Sequence, residues 1–318
     1  MKWVKRGLLF DPRQHALPDR CTEFAQSPQA LVFDDFVRIY FSTREQEEGG
    51  QYLSHVSFVD VDKGLRRVLR TALSPVMALG ELGCFDQHGI FPMNVVRHGG
   101  RVYAYTCGWS RRMSVPVETA IGLAISDDDG RTFQRVGSGP VMTASLHEPF
   151  LVGDPFVLVR NGEWHMWYIF GTAWAERSAT ESTPARVYKI AYARSADGIS
   201  WRRDGKTPVA DRLNADECQA LPTVVEYDGL FHMFFCYRQA TDFRTNRNRG
   251  YRIGYAWSRD MCSWTRDDAL GGIDVSDSGW DSDMLCYPHV FTCSGHLYLL
   301  YNGNQFGRHG FGVAELKR

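Results

Sequence analysis

The chain has 318 residues, 44% hydrophobic and 13% aromatic, with a formal charge of −1 at pH 7. That balance supplies enough apolar surface for sheets packed face to face in one domain spanning residues 1–318. It excludes the basic stripe or tail that a nucleic-acid partner or an anionic membrane would need. The opening MKWVKRGLLFDPRQ holds only a short apolar triplet before Asp11 and Pro12, and no run approaches the roughly 18 apolar residues of a membrane helix. A cytoplasmic protein without membrane insertion is the expectation.

A first strand is predicted over residues 2–10, and from there the chain repeats. Pro28, Pro92, Pro155, Pro222 and Pro288 recur every 63 to 67 residues. Each opens an apolar run, a turn and a second run rich in aromatics, as in SPQALVFDDFVRIYFSTR and LPTVVEYDGLFHMFFCYR. The turns are mostly Asn, Asp and Gly pairs such as Asn161-Gly162 and Asp228-Gly229, which favour hairpin geometry. A third strand follows in IGLAISDDDGRTF, YKIAYARSADGISW and YRIGYAWSRDMCSW, then a short fourth. A period of this length is too long for a solenoid rung and suits a propeller blade. The fold class is therefore all-β, a five-bladed β-propeller with four-stranded antiparallel blades. Blade five lacks its fourth strand at the C-terminal end, so residues 2–10 are expected to close it and cover an open edge.

Eight cysteines occur without a CxxC pair, which suits reduced thiols better than a disulfide framework. Cys21, Cys84, Cys218 and Cys286 lie just upstream of blade prolines and are read as packing residues in preference to a soft-metal site.

In a blade the start of the first strand and the end of the second open on the same face, and the crossings between blades pass over it. Those crossings carry Glu23, Asp86, His88, His147, Glu148, Asp154, Asp216, Glu217, Asp281 and Asp283. Second-strand ends add Arg44, Trp109, Trp174, Arg238, Asn302 and Asn304. Carboxylates, amides and guanidinium groups match sugar hydroxyls, and tryptophan faces match sugar C–H faces, so a carbohydrate pocket is expected. Glycosidic cleavage needs one carboxylic acid to protonate the leaving oxygen and a second carboxylate to activate water or attack the sugar.

In blade count and hairpin pattern the chain resembles the five-bladed propeller glycosidases of glycoside hydrolase families 32, 43, 68 and 130. Gly153-Asp154-Pro155 matches that group's blade-three motif, and Asp216-Glu217-Cys218 resembles the Glu-Cys element of family 32. The resemblance implies Glu217 as general acid and Asp154 as the group that tunes it. It fails at blade one, where Gln26-Ser27-Pro28 stands in place of the expected aspartate, leaving the base among Asp86, Asp283 and Glu23. It also implies that the scaffold need not use water as acceptor, and that Arg44, Arg238 and His88 could hold a phosphate or diphosphate. The C-terminal third is similar to propellers that accompany bacterial polysaccharide or sugar-modification genes.

No cofactor is required by this reading. A channel cation remains an alternative, with His289 the first candidate ligand and His147, Glu148 and His309 nearby in the pattern, although no metal spacing such as HExxH is present. The segments 175–186 and 239–250 are polar insertions expected to form lips over the pocket, the second rich in arginine. The turns at 126–130 and 195–198 are read as structural Asp-box turns on the opposite face. Two functions follow: an enzyme that cleaves or transfers a glycosyl group of a carbohydrate or nucleotide-sugar ligand, with Ser27, Trp109, Trp174, Asn302 and Asn304 among the binding residues, or a sugar-binding propeller without catalysis.

Overall fold

The computed structural model describes residues 1–18, 20–175 and 183–317. Strand β1 (Trp3–Phe10) precedes four complete meanders. The first is β2 (Glu23–Val32), β3 (Phe36–Gln46), β4 (Tyr52–Asp62) and β5 (Val68–Thr71). The second is β6 (Gly89–His98), β7 (Arg101–Arg111), β8 (Val117–Ser126) and β9 (Gln134–Arg135). The third is β10 (Val152–Arg160), β11 (Glu163–Ala175), β12 (Ala185–Ser195) and β13 (Arg202–Arg203). The fourth is β14 (Glu217–Tyr227), β15 (Leu230–Gln239), β16 (Arg252–Ser258) and β17 (Thr265–Arg266).

The last unit, β18 (Cys286–Cys293), β19 (His296–Asn302) and β20 (Phe311–Leu316), takes β1 as its outer strand, in the order β1-β20-β19-β18. Pairing within every unit is antiparallel, and one parallel bridge, Ser54 to Gly89, joins the first two units into one sheet. The innermost strands β2, β6, β10, β14 and β18 contact one another in a closed cycle, β18 returning to β2. This is a β-propeller, and the clasp places Trp3 opposite Leu316 as the missing fourth strand required.

Local chemistry explains the meanders. In Asn161-Gly162, Asp228-Gly229 and Ser294-Gly295 both central residues have positive φ, the geometry that matches a two-residue turn to the twist of its strands. At the turn between third and fourth strands, the Asp128 carboxylate accepts from the backbone N–H groups of Arg131 and Thr132, and Asp197 repeats this with Ile199 and Ser200. These turns also join blades. The Tyr40 hydroxyl donates to the Gly130 carbonyl at 2.7 Å and the Tyr105 hydroxyl to that of Gly198 at 2.8 Å.

The core lies between neighbouring sheets. Trp167, Ile190, Met233 and Phe235 pack in one such layer, and Phe10, Ile39, Phe41 and Phe311 in another. Among the described residues no helix is long and apolar enough to cross a membrane.

Candidate functional site

The repeat prolines build the site. In each innermost strand the register slips at the proline, between Gln26 and Gln29, Ile90 and Met93, Gly153 and Phe156, Ala220 and Thr223, and Cys286 and His289. A residue before proline ordinarily stays extended. Here Ser27, Asp154, Leu221 and Tyr287 instead hold φ of 54°, 49°, 49° and 56°, while Phe91 joins Pro92 through a cis peptide. Three of these bulge residues, Phe91, Asp154 and Tyr287, line a cavity of about 540 Å³. That is within the size range of small-molecule sites, roughly 300–1,000 Å³.

Asp154 is the one carboxylate among the described residues lining this cavity. Its Oδ2 accepts from the Leu221 backbone N–H at 3.3 Å. Burial pushes its pKa up to about 7, against the smaller opposing pulls of the Leu221 N–H and the Arg186 charge. Behind it, Cys107 is a buried thiol pushed up by its own burial, with the Asp154 charge adding to the effect.

Arginines dominate the remaining polarity: Arg44, Arg111, Arg186, Arg238 and Arg244 all line the cavity. Arg238 is 3% exposed. It donates through Nη1 to the carbonyls of Gln239 and Ala240, at 2.7 and 3.0 Å, and through Nη2 to the Tyr188 hydroxyl at 3.0 Å. Its Nε is buried without a partner. The Phe243 ring lies 3.5 Å from the Arg238 guanidinium and 4.3 Å from that of Arg244. Arg44 sits over Phe24 and Tyr52, at 4.6 and 5.7 Å. It is held below the usual guanidinium range by its burial, and the like charge of Arg244 adds to this. Arg111 is neutralised by Glu47. Among the described residues, none of the other four forms an ion pair with a carboxylate. The tyrosines Tyr188 and Tyr251, hydroxyls 2.8 Å apart, complete the wall beside Arg238.

Of the residues singled out from sequence, Asp154, Arg44, Trp109 and Arg238 meet in this cavity. Trp174 lines an adjoining recess of about 570 Å³ that shares Arg111, Val117 and Leu151 with it. His88 stacks near Trp109, ring centres 5.9 Å apart, and opens on a third recess that also touches Arg111.

The others lie elsewhere. Glu217 is fully buried, and its carboxylate accepts from Arg266 Nη1, Gln219 Nε2 and the backbone N–H groups of Arg212 and Leu213. It holds a crossing together and does not line this cavity, so the expected general acid lies apart from Asp154. Asp86 is likewise buried and paired with Arg135. Asp283 is exposed, 3.7 Å from Arg247, and Glu23 pairs with Arg308. None of the three candidate bases reaches the cavity lining.

Two predicted binding amides are braces. Asn302 donates to the carbonyls of Ala25 and Gly310 and accepts from the Ser27 N–H, stitching the last blade to the first. Asn304 accepts from the Asp283 and Met284 N–H groups and orders that crossing. Ser27 itself is buried away from the cavity lining. His289 packs near Phe156 and Phe291, and among the described residues no group of three or more His, Cys, Asp or Glu side chains is placed to hold a metal ion. Cys107, Cys218, Cys236 and Cys286 are buried free thiols.

The lip at 239–250 supplies Phe243 and Arg244 to the cavity, as its arginine content suggested. Most of the other lip, residues 176–182, lies outside the described residues. Sequence reasoning missed Arg186, Tyr188, Tyr251, Tyr287 and Phe91. The signal was present, since Tyr188 and Tyr251 open the equivalent runs YKIAY and YRIGY, and Phe91 and Tyr287 directly precede repeat prolines.

No family model matches the sequence. Two curated Mycobacterium tuberculosis proteins, Uncharacterized protein MT1551 of strain CDC 1551 / Oshkosh and Uncharacterized protein Rv1502 of strain ATCC 25618 / H37Rv, are each 34% identical over 318 residues, covering 100% of both proteins. Among solved structures, BT0996 in its RGII complex superposes with a TM-score of 0.73 at 17% identity, over 99% of this protein and 91% of that one. The GH43_1 enzyme from Xanthomonas citri complexed with xylose gives 0.62 at 17% identity, over 99% and 90%. The endo-arabinase from Bacteroides thetaiotaomicron VPI-5482 gives 0.62 at 14% identity, over 96% and 98%. At such identities the likeness is one of fold, that of the propeller glycoside hydrolases.

Proposed function

This protein belongs to the family of the Mycobacterium tuberculosis proteins Rv1502 and MT1551, and on that premise we propose that it is a carbohydrate-active enzyme that transfers a glycosyl group. Asp154 is the proton donor to the departing glycosidic oxygen. The observation that carries this reading is a buried carboxylate, the one carboxylate among the described lining residues, whose pKa burial pushes up to about 7. A general acid is most effective when its pKa lies near the working pH. Trp109, Tyr52 and Phe91 offer ring faces to the C–H surface of a sugar.

Among the described residues the lining offers no second carboxylate, and this favours one kind of transfer over others. Hydrolysis on this fold uses paired carboxylates about 5 to 9.5 Å apart, one of them activating water or attacking the anomeric carbon. With Asp154 the one carboxylate of the described lining, this reading has the acceptor arrive already nucleophilic. The C1–O bond to the leaving group then breaks as Asp154 delivers its proton to that oxygen, and an acceptor oxyanion forms the new bond to C1. Transfer or phosphorolysis is thus favoured over hydrolysis. The buried thiols Cys107, Cys218, Cys236 and Cys286 support a reducing, cytoplasmic setting.

That Asp154 has no second carboxylate beside it among the described lining residues also favours a second reading, a sugar-binding propeller without turnover. Product analysis of a panel of glycosides, incubated with and without inorganic phosphate or nucleotide acceptors, separates the two. Turnover abolished by Asp154→Asn supports the enzyme; binding of the same glycosides without turnover under every acceptor condition supports the binding protein.

A further inference from the structure

We infer that Arg44, Arg238 and Arg244 form a subsite for a phosphate dianion or diphosphate beside Asp154, so that the ligand of this cavity is phosphorylated sugar or sugar plus inorganic phosphate. The inference rests on the reading of the cavity as a glycosyl-transfer site and adds the class of its ligand.

Three observations carry it. Firstly, the guanidinium groups of Arg238 and Arg244 both approach the Phe243 ring, at 3.5 and 4.3 Å from its centre, which fixes two like charges close together at the cavity wall. Secondly, Arg238 is 3% exposed yet has no carboxylate partner among the described residues, and its buried Nε donates to nothing. A buried unpaired charge is costly, and elsewhere this protein pairs its buried arginines: Arg38 with Asp60, and Arg266 with Glu217 and Asp268. Thirdly, the cation excess among the described lining residues is too large for one carboxylate to balance. Among the described residues, Arg44, Arg186, Arg238 and Arg244 line the cavity with Asp154 as its one carboxylate.

A uronate would bring one negative charge, whereas a phosphate monoester brings close to two and a diphosphate more. Arginine forks suit phosphate oxygens because they donate two parallel N–H groups. The aromatic collar around Arg44, Arg238 and Arg244 keeps each guanidinium plane fixed before the ligand arrives. The anion then serves in either of two ways. Carried on the sugar, it anchors the donor or departs as its leaving group; free in solution, it is the acceptor that attacks C1.

Isothermal titration of the full-length protein at constant ionic strength tests this with four probes: sodium phosphate, glucose 1-phosphate, UDP-glucose and glucuronate. Saturable binding of at least one phosphate-bearing probe is expected, with glucuronate weaker. Arg244→Ala and Arg44→Gln should each weaken it roughly tenfold or more, the loss of one charge-assisted hydrogen bond. Arg160→Ala, which breaks an exposed ion pair with Glu226, should not.

Binding of sodium phosphate itself identifies a free co-substrate; binding of only the sugar-linked forms identifies a phosphorylated donor. Absence of saturable binding by all three phosphate probes, tighter binding of glucuronate, or insensitivity to Arg44→Gln and Arg244→Ala overturns the inference. Asp154-dependent turnover of a neutral glycoside without phosphate binding would overturn it while leaving glycosyl transfer intact. Phosphate binding without any Asp154-dependent turnover would uphold it and remove the transfer reading.

Discussion

Asp154 Oδ2 accepts a hydrogen bond from the backbone N–H of Leu221 at 3.3 Å, so the residue before the third repeat proline is tied to the residue before the fourth. Both sit in the left-handed region, at φ of 49°. Bulges of this kind re-aim a side chain out of the plane of its strand. The proline repeat therefore does more than mark blades. It turns an otherwise strand-bound carboxylate into the cavity and gives it one neutral donor, leaving burial as the dominant influence on its proton.

Asp154→Asn should abolish turnover, by about 10² to 10⁴-fold, the usual contribution of a positioned general acid. The asparagine carbonyl can still accept from Leu221, so the fold and ligand affinity should persist. In the natural protein, activity that requires the protonated acid should fall as pH rises through about 7. A pH–rate profile measured on a working glycosyl donor checks this; a rate that keeps rising from pH 6 to 9 would assign Asp154 another role.

Two buried groups pull the pH dependence of stability in opposite directions. The Asp154 carboxyl is raised from 3.8 to about 7, so the folded state retains a proton the unfolded chain loses, and its contribution is lost as pH rises from about 4 to 7. The effect is on the order of 4 kcal/mol. His289 is depressed by burial from 6.5 to about 3, so the unfolded chain takes up a proton first and stability falls as pH drops from about 6.5 to 3. Asp154→Asn should raise the melting temperature at pH 8 relative to the natural protein. His289→Phe should flatten the acid limb between pH 6 and 4, whatever its effect at pH 7. Thermal melts across pH 4 to 9 read both slopes, and unchanged slopes would place these groups in contact with solvent.

Glu217 separates structural from catalytic carboxylates. Its oxygens are fully used by Arg266, Gln219 and two backbone N–H groups. Glu217→Ala leaves Arg266 with the Asp268 carboxylate and the Ala210 carbonyl and should cost about 3 to 5 kcal/mol, the range for breaking a buried pair. Glu217→Gln should cost less and leave kcat of the folded protein within a few-fold. A drop in kcat above a hundredfold with an unchanged denaturation midpoint would return Glu217 to the chemistry.

The sequence carried the architecture because a propeller repeats its physics. Proline bulges, Asn-Gly-type turns and aromatic second strands recur at one period, and the fourth strand missing after β20 is answered by Trp3–Phe10. Placement in the cavity was legible only where repeat position fixed direction, as for Asp154 before Pro155 and for Arg44 and Arg238 at second-strand ends. The direction of Glu217 and Asp86 was not legible, because a carboxylate in a crossing can point up into the cavity or down into a neighbouring arginine, and the placement of Arg266 and Arg135 turns both downward. Those arginines lie in the short fourth strands or beside them, about 50 residues away in sequence, beyond any local pattern.

The Asp-box turns make a last, independent prediction about how blades are held. Tyr40 in the first blade reaches the Gly130 carbonyl of the second, and Tyr105 in the second reaches Gly198 of the third. Both hydroxyls are buried, so each lost bond leaves a buried carbonyl unsatisfied. Tyr40→Phe and Tyr105→Phe should each cost about 1 kcal/mol. They latch different pairs of blades, share no partner and should add in the double variant. Because neither tyrosine lines the arginine-walled cavity, turnover and phosphate affinity should stay at their natural values while urea midpoints fall in equal steps. A double variant much less stable than the sum would show that the two latches act as one ring-wide element.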